Sequence, residues 1–105
     1  MIGFRTLNGQ ADLVVVAAGQ LVAKPAGMPC EHAGALSAFG QTAHTALRLL
    51  GVGPVDTVLV HAAAGGVVTA SVELARACGD TVIGTARERT HDYLRGLGAL
   101  LVTYG

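Results

Sequence analysis

Tryptophan is absent from this 105-residue chain, and aromatic residues make up only 4% of it. Its bulk therefore comes from small side chains, fifteen glycines among them. Cysteine occurs twice, at Cys30 and Cys78, with no Cys-x-x-Cys spacing and no paired histidines nearby. Neither a metal-ligand set nor a redox motif is present, and the plain expectation is two reduced, buried thiols. Charge of one sign is also lacking: seven basic residues balance seven acidic ones and are spread along the chain. Phosphate backbones are bound by clustered Lys and Arg, so no nucleic-acid partner is expected. No apolar run approaches the roughly 20 residues needed to cross a bilayer, and Met1-Ile2-Gly3-Phe4-Arg5 is not a basic-then-apolar secretion signal. The expectation is no membrane partner and a cytoplasmic location.

What is present is apolar. Hydrophobic residues are 51% of the chain and charged residues 13%, far from the composition of a disordered segment. The length allows one domain, which on folding buries roughly 65% of its unfolded surface, enough for a modest core without disulfide or metal.

From Ala11 to Lys24 two β-rich stretches meet at Ala18-Gly19, and Pro25 closes the second. This predicts a strand, a turn and a shorter strand, with the continuously apolar Leu13 to Val16 covered on both faces. Cys30 to Leu50 carries Leu36, Phe39, Ala43, Ala46, Leu47 and Leu50 at steps of three and four, a helical period with a break near Gly40. Gly51 stands where a left-handed C-cap is wanted, and Val52-Gly53-Pro54 leads into a loop.

Asp56 to His61 reads as a strand, Ala62-Ala63-Ala64-Gly65-Gly66 as a tight turn, and Val67, Ala70, Ser71, Leu74, Ala75 and Cys78 as one face of a helix ended by Gly79. Thr81 to Thr85 is the next strand. Thr90 is the expected N-cap of a short helix bearing Asp92, Leu94 and Leu97, which Gly98 ends before the strand Leu100 to Val102. Strands alternating with helices in this order, β-α-β-α-β, argue a parallel sheet with right-handed crossovers, buried on both faces.

The chemistry lies in Val58 to Val68. A glycine turn between a strand and a helix N-terminus is an anion site, with the N–H groups of Gly65, Gly66 and Val67 facing a phosphate and no Cβ to hold it away. Against G-x-G-x-x-G the positions are Ala63, Gly65 and Val68, so the middle glycine alone is kept. The acid that binds an adenosine ribose is expected about 20 residues on. Thr85 stands there instead, with Arg87 and Arg89 just after. Guanidinium groups at that point suit a 2′-phosphate, hence NADP(H) over NAD(H), or else Arg87, Glu88 and Arg89 solvate a surface loop.

The stretch His61 to Ala99 resembles the nucleotide-binding core of the zinc-independent medium-chain dehydrogenase/reductases, in their quinone oxidoreductase and enoyl reductase branch. Ala11 to Met28 is similar to that family's link out of its catalytic domain, and Gly40 to Gly66 to its hinge helix and first Rossmann strand. The resemblance implies an α/β fold: a partial Rossmann-type parallel sheet preceded by a short β segment and a linking helix. It divides the chain into residues 1–29, a catalytic-domain tail, and 30–105, the linking helix with the first half of a nucleotide-binding domain.

Carried over by position, Thr42 matches a threonine near the nicotinamide, or is a helix residue bonding its own backbone. Ala64, Gly65, Gly66 and Val67 match the pyrophosphate turn, and Gly84, Thr85, Arg87 and Arg89 the adenosine-phosphate pocket. No metal ligands and no catalytic residue are assigned. Val68 replaces the family's closing glycine, so its branched side chain is expected to push the helix outward or reshape the turn. The resemblance implies NADP(H)-dependent hydride transfer to a quinone, enone or carbonyl, in a fragment that lacks most of the substrate site. The alternatives are a non-catalytic nucleotide-binding or dimerising remnant, and a scaffold whose turn Val68 has closed. With the second half of the sheet missing, Thr57 to Val60 becomes an apolar edge. Either Leu13 to Val16 or a second copy, giving a homodimer, is expected to cover it.

Overall fold

Thr57, Val58, Leu59 and Val60 run parallel to Thr81, Val82, Ile83 and Gly84, and Ile83 to Ala86 pair in parallel with Leu100 to Thr103. These three strands form a parallel sheet in a computed structural model that describes residues 1–3 and 9–103. Phe4 and Arg5 of the opening segment lie outside the described residues. The chain divides into two compact units, Met1–Ala38 and Phe39–Gly105.

In the first unit, β1 (Ile2–Gly3) pairs antiparallel with β2 (Leu21–Val22), and a 3-10 turn, Ala18–Gln20, precedes β2. The second expected strand is thus present but short. The first is not: Leu13 to Val16 forms no strand, and Leu13 and Val15 are exposed. Helix α1 (Cys30–Ala35) is the last α-helix of the unit and is followed by a π-helical segment, Leu36–Gly40. The break expected near Gly40 is this widened turn, a form concentrated at functional sites.

The second unit carries α2 (Gln41–Leu50), β3 (Thr57–Val60), α3 (Gly66–Ala77), β4 (Thr81–Ala86), α4 (His91–Gly96) and β5 (Leu100–Thr103). The expected β-α-β-α-β order holds, with sheet order β3-β4-β5 and β3 at one edge. Gly51 caps α2 in the left-handed region at φ 66°, its N–H reaching Arg48 O at 3.1 Å while Val52 N–H reaches Leu47 O at 3.3 Å. Gly79 and Gly98, at φ 93° and 87°, follow α3 and α4. Between α2 and β3, Asp56 N–H closes a turn on Gly53 O, and Val55 occupies φ 69°, where a β-branched residue is strained.

The core collects Val58 and Val60 of β3, Val82 and Ala86 of β4, Val72 and Ala75 of α3, and Leu94 of α4. Three expectations are corrected here. Burial alternates along β3 and β4, so the sheet is buried on one face; Leu59, Leu100 and Val102 of the other face are 67%, 61% and 53% exposed. The buried residues of α3 are Val72 and Ala75; of the expected face, Val67, Ala70, Ser71 and Leu74 are half-buried, as Val68 is, and Cys78 is exposed. Both cysteines are exposed free thiols instead of buried ones.

Candidate functional site

β3 ends at Val60, and the chain turns through His61, Ala62, Ala63, Ala64 and Gly65 into α3. Ala62 adopts φ 56°, a left-handed conformation that costs a residue with a Cβ roughly 1–2 kcal/mol. Gly65 N–H donates to Ala62 O at 3.1 Å, closing the turn, so it does not face outward as expected for a phosphate donor. Gly66 and Val67 open α3, where geometry leaves their N–H groups without a carbonyl four residues back. Gly65 itself has an ordinary extended conformation, φ −76° and ψ 156°, and a Cβ there would stand 3.6 Å from Val68 Cγ2. Its hydrogen in place of a methyl leaves the rim of the turn open.

β4 supplies the opposite wall. Ala86 ends the strand, Arg87 follows, and Glu88–Thr90 form a 3-10 turn in which Thr90 N–H and Oγ1 both donate to Arg87 O, at 2.9 and 2.8 Å. Thr90 precedes α4 but does not cap it through its side chain; its hydroxyl is turned back to hold Arg87. His91 is buried, and its Nε2 donates to Ala86 O at 3.1 Å, fixing the end of β4 from below.

Between the two walls lies a cavity of about 260 Å³ lined by Ala62, Ala64, Gly65, Ala86, Arg87, Arg89 and Thr90. Arg87 and Arg89 are exposed, and among the described residues neither guanidinium has an ion-pair or hydrogen-bond partner; the ion pair seen there is Arg95 Nη1 to Asp92 Oδ1 at 3.1 Å. Among the described residues no carboxylate lines the cavity. Two unpaired guanidiniums in a small cleft suit a phosphate ester. A larger cavity, about 620 Å³, belongs to the first unit, where Ser37 supplies a hydroxyl on a wall of Val14, Val16, Leu21 and small residues. The described residues of that wall carry no charged or acid-base side chain.

The fold thus brings four of the expected residues, Ala64, Gly65, Arg87 and Arg89, around one cavity. Gly66 and Val67 lie at the start of α3 beside it, and Gly66 faces the ring of Phe39, 3.0 Å from where a Cβ would sit. Gly84 is buried beneath the turn, facing Ala63 and Leu101. The Thr85 hydroxyl meets His61 Nδ1 at 2.7 Å and accepts the Ala62 N–H at 3.1 Å. Thr42 is exposed on α2, away from the lining. Val68 is half-buried against the core. The lining residues Ala62, Ala86 and Thr90 carry no motif signal; Thr90, three residues after Arg87, was legible only as a helix start.

Among the described residues no group of three or more His, Cys, Asp or Glu could hold a metal, and no helix is long and apolar enough to cross a membrane.

No family model matches the chain. It is 44% identical over 94 residues to the pikromycin polyketide synthase component PikAII of Streptomyces venezuelae, covering 88% of this chain and 2% of that protein. With the probable acrylyl-CoA reductase AcuI of Escherichia coli it shares 35% over 103 residues, 93% of this chain and 32% of that protein. The quinone oxidoreductase of Thermus thermophilus, determined also in complex with NADPH, superposes with a TM-score of 0.89 at 35% identity, over 96% of this chain and 35% of that one. The chain therefore spans about a third or less of the relatives it resembles. By sequence and fold together, it matches the Rossmann-type part of the medium-chain dehydrogenase/reductases, in their quinone oxidoreductase and enoyl reductase branch.

Proposed function

We propose that this chain holds the adenosine-phosphate end of NADP(H) in an oxidoreductase of the quinone oxidoreductase type. One observation carries the reading: Arg87 and Arg89, unpaired among the described residues, share a cavity with Ala64 and Gly65, and no described carboxylate in its lining competes with them. A 2′-phosphate brings about two negative charges to those guanidiniums, whereas the free hydroxyls of NAD(H) would want the acid that is missing. Gly66 and Val67 offer N–H groups to the pyrophosphate at the positive end of α3, and Gly84 and Thr85 shape the pocket from beneath; Thr42 is assigned to the nicotinamide end by the resemblance alone.

The cofactor supplies the chemistry, transfer of hydride from the dihydronicotinamide to a quinone, enone or carbonyl. This chain's own part is to bind and orient. Its two free thiols accord with the cytoplasm. Calorimetric titration with NADPH and NADH at low salt, repeated on the Arg87→Ala, Arg89→Ala double variant, tests the reading. NADPH should bind more tightly than NADH, and the double variant should lose that preference; equal affinities in the unaltered chain would refute it.

A second feature supports a homodimer. β3 is an edge strand of the described sheet, and Leu59 on it is 67% exposed, so a second copy's β3 offers the matching unpaired ladder. A non-catalytic dimer that binds nucleotide without turning it over is the alternative this edge favours, and NADPH oxidation with a simple quinone separates the two.

A further inference from the structure

His61 is the one polar side chain of the turn for which nucleotide binding supplies no use. It follows the last residue of β3, and its Nδ1 lies 2.7 Å from Thr85 Oγ1 on the neighbouring strand. That oxygen also accepts the Ala62 N–H at 3.1 Å, while Thr85 O accepts the Ala63 N–H at 2.9 Å. Three consecutive residues, His61, Ala62 and Ala63, are therefore tied to one, Thr85. The middle one, Ala62, lines the cavity and holds a left-handed φ of 56° that alanine adopts reluctantly. Strained conformations persist where their surroundings over-determine them. Here the surroundings are the Thr85 hydroxyl and the ring that orients it.

We propose that His61 and Thr85 form a positioning pair that holds Ala62 left-handed and so sets the rim of the phosphate cavity, neither side chain touching the nucleotide. In the tautomer proposed here the hydroxyl accepts from Ala62 N–H and donates its own proton to Nδ1, with the ring proton on Nε2. A hydroxyl suits position 85 because one group can accept from the backbone and hydrogen-bond the ring nitrogen at once. Glycine at position 62 would take the same φ unaided, so the pair matters only because alanine is there. The inference rests on the proposed nucleotide reading for what the rim receives, and on geometry alone for the pair.

The test uses the isotope-labelled 105-residue chain. Nitrogen-15 shifts of His61 should show Nδ1 bare and Nε2 protonated, and the Ala62 amide should exchange slowly with water. Thr85→Val should speed that exchange and weaken NADPH binding about tenfold, Thr85→Ser should restore both, and His61→Ala should weaken binding in the same direction. In an Ala62→Gly background Thr85→Val should cost about twofold or less. An unchanged affinity in Thr85→Val, or a loss that Ala62→Gly does not soften, would overturn the positioning role. Should the unaltered chain bind no NADPH, the nucleotide reading falls separately: Ala62 protection lost in Thr85→Val but kept in Thr85→Ser still supports the pair, and protection unchanged in both overturns it.

Discussion

Gly84 of β4 lies beneath Ala63 of the glycine turn so closely that a Cβ added at position 84 would stand 3.0 Å from the Ala63 Cβ and 3.3 Å from Leu101 Cδ2. Ala63 is fully buried, with no room to move aside. Gly84→Ala should therefore destabilise the chain by about 1–3 kcal/mol through overpacking, read as a lower midpoint in urea with an unchanged slope. Full stability in the variant would show that the turn floats above the strand.

Arg87 and Arg89 are exposed, so the hold on a phosphate proposed for them would be screened by salt. NADPH affinity should fall more steeply than NADH affinity as sodium chloride rises from about 20 mM to roughly 150 mM, where the Debye length shortens to about 8 Å. Parallel salt slopes for the two nucleotides would mean that the extra phosphate is not read by charge.

Val68 packs half-buried against the core and does not line the cavity. Val68→Gly should lower stability by about 2 kcal/mol, from lost apolar burial and helix propensity, with no gain in dinucleotide affinity. Tighter binding in that variant would restore the idea that the valine closes the turn.

β3 presents an unpaired edge, and the exposed face beside it carries Leu59, Leu100 and Val102. Size-exclusion chromatography with light scattering should give a dimer at high concentration, and Leu59→Lys should shift it to monomer, since a charge on an edge strand blocks pairing. A monomer at every concentration would dispose of the dimer.

Asp80, between α3 and β4, is 1% exposed, and neither carboxylate oxygen has a hydrogen-bond partner among the described residues. The nearby Arg76 Nη1 donates to the Asp80 backbone carbonyl, at 3.0 Å. Burying an unsatisfied polar group costs about 1–3 kcal/mol, so Asp80→Ala should raise the melting temperature. A fall on substitution would show that the carboxylate has a partner after all.

The local elements were legible because their signals are local. Gly51, Gly79 and Gly98 all take positive φ after the helices they were expected to end, and alternating strand and helix segments imply a parallel sheet whatever their neighbours. Leu13 to Val16 misled because apolar composition marks what could be buried, whereas Leu13 and Val15 stand exposed. The exposed faces of β3 and β5 misled for a related reason: continuous apolar character marks what could be covered, whereas burial depends on what lies opposite.

The sequence by itself determined the element order from β3 onward, the glycines that end the helices, the glycine turn after β3 and the arginines after β4, since each follows from backbone preference or short-range spacing. Only the tertiary structure decided which of those residues share a cavity, that the Gly65 N–H is spent closing its own turn, that the Thr85 hydroxyl is committed to His61 and Ala62, and that Gly84 is a contact point and not a lining residue. Apart from the turn's own bond, these relations join segments that lie far apart in the chain, the Thr85 contacts spanning some two dozen residues between β3 and β4, and the register of the sheet that creates them is set by packing against α3.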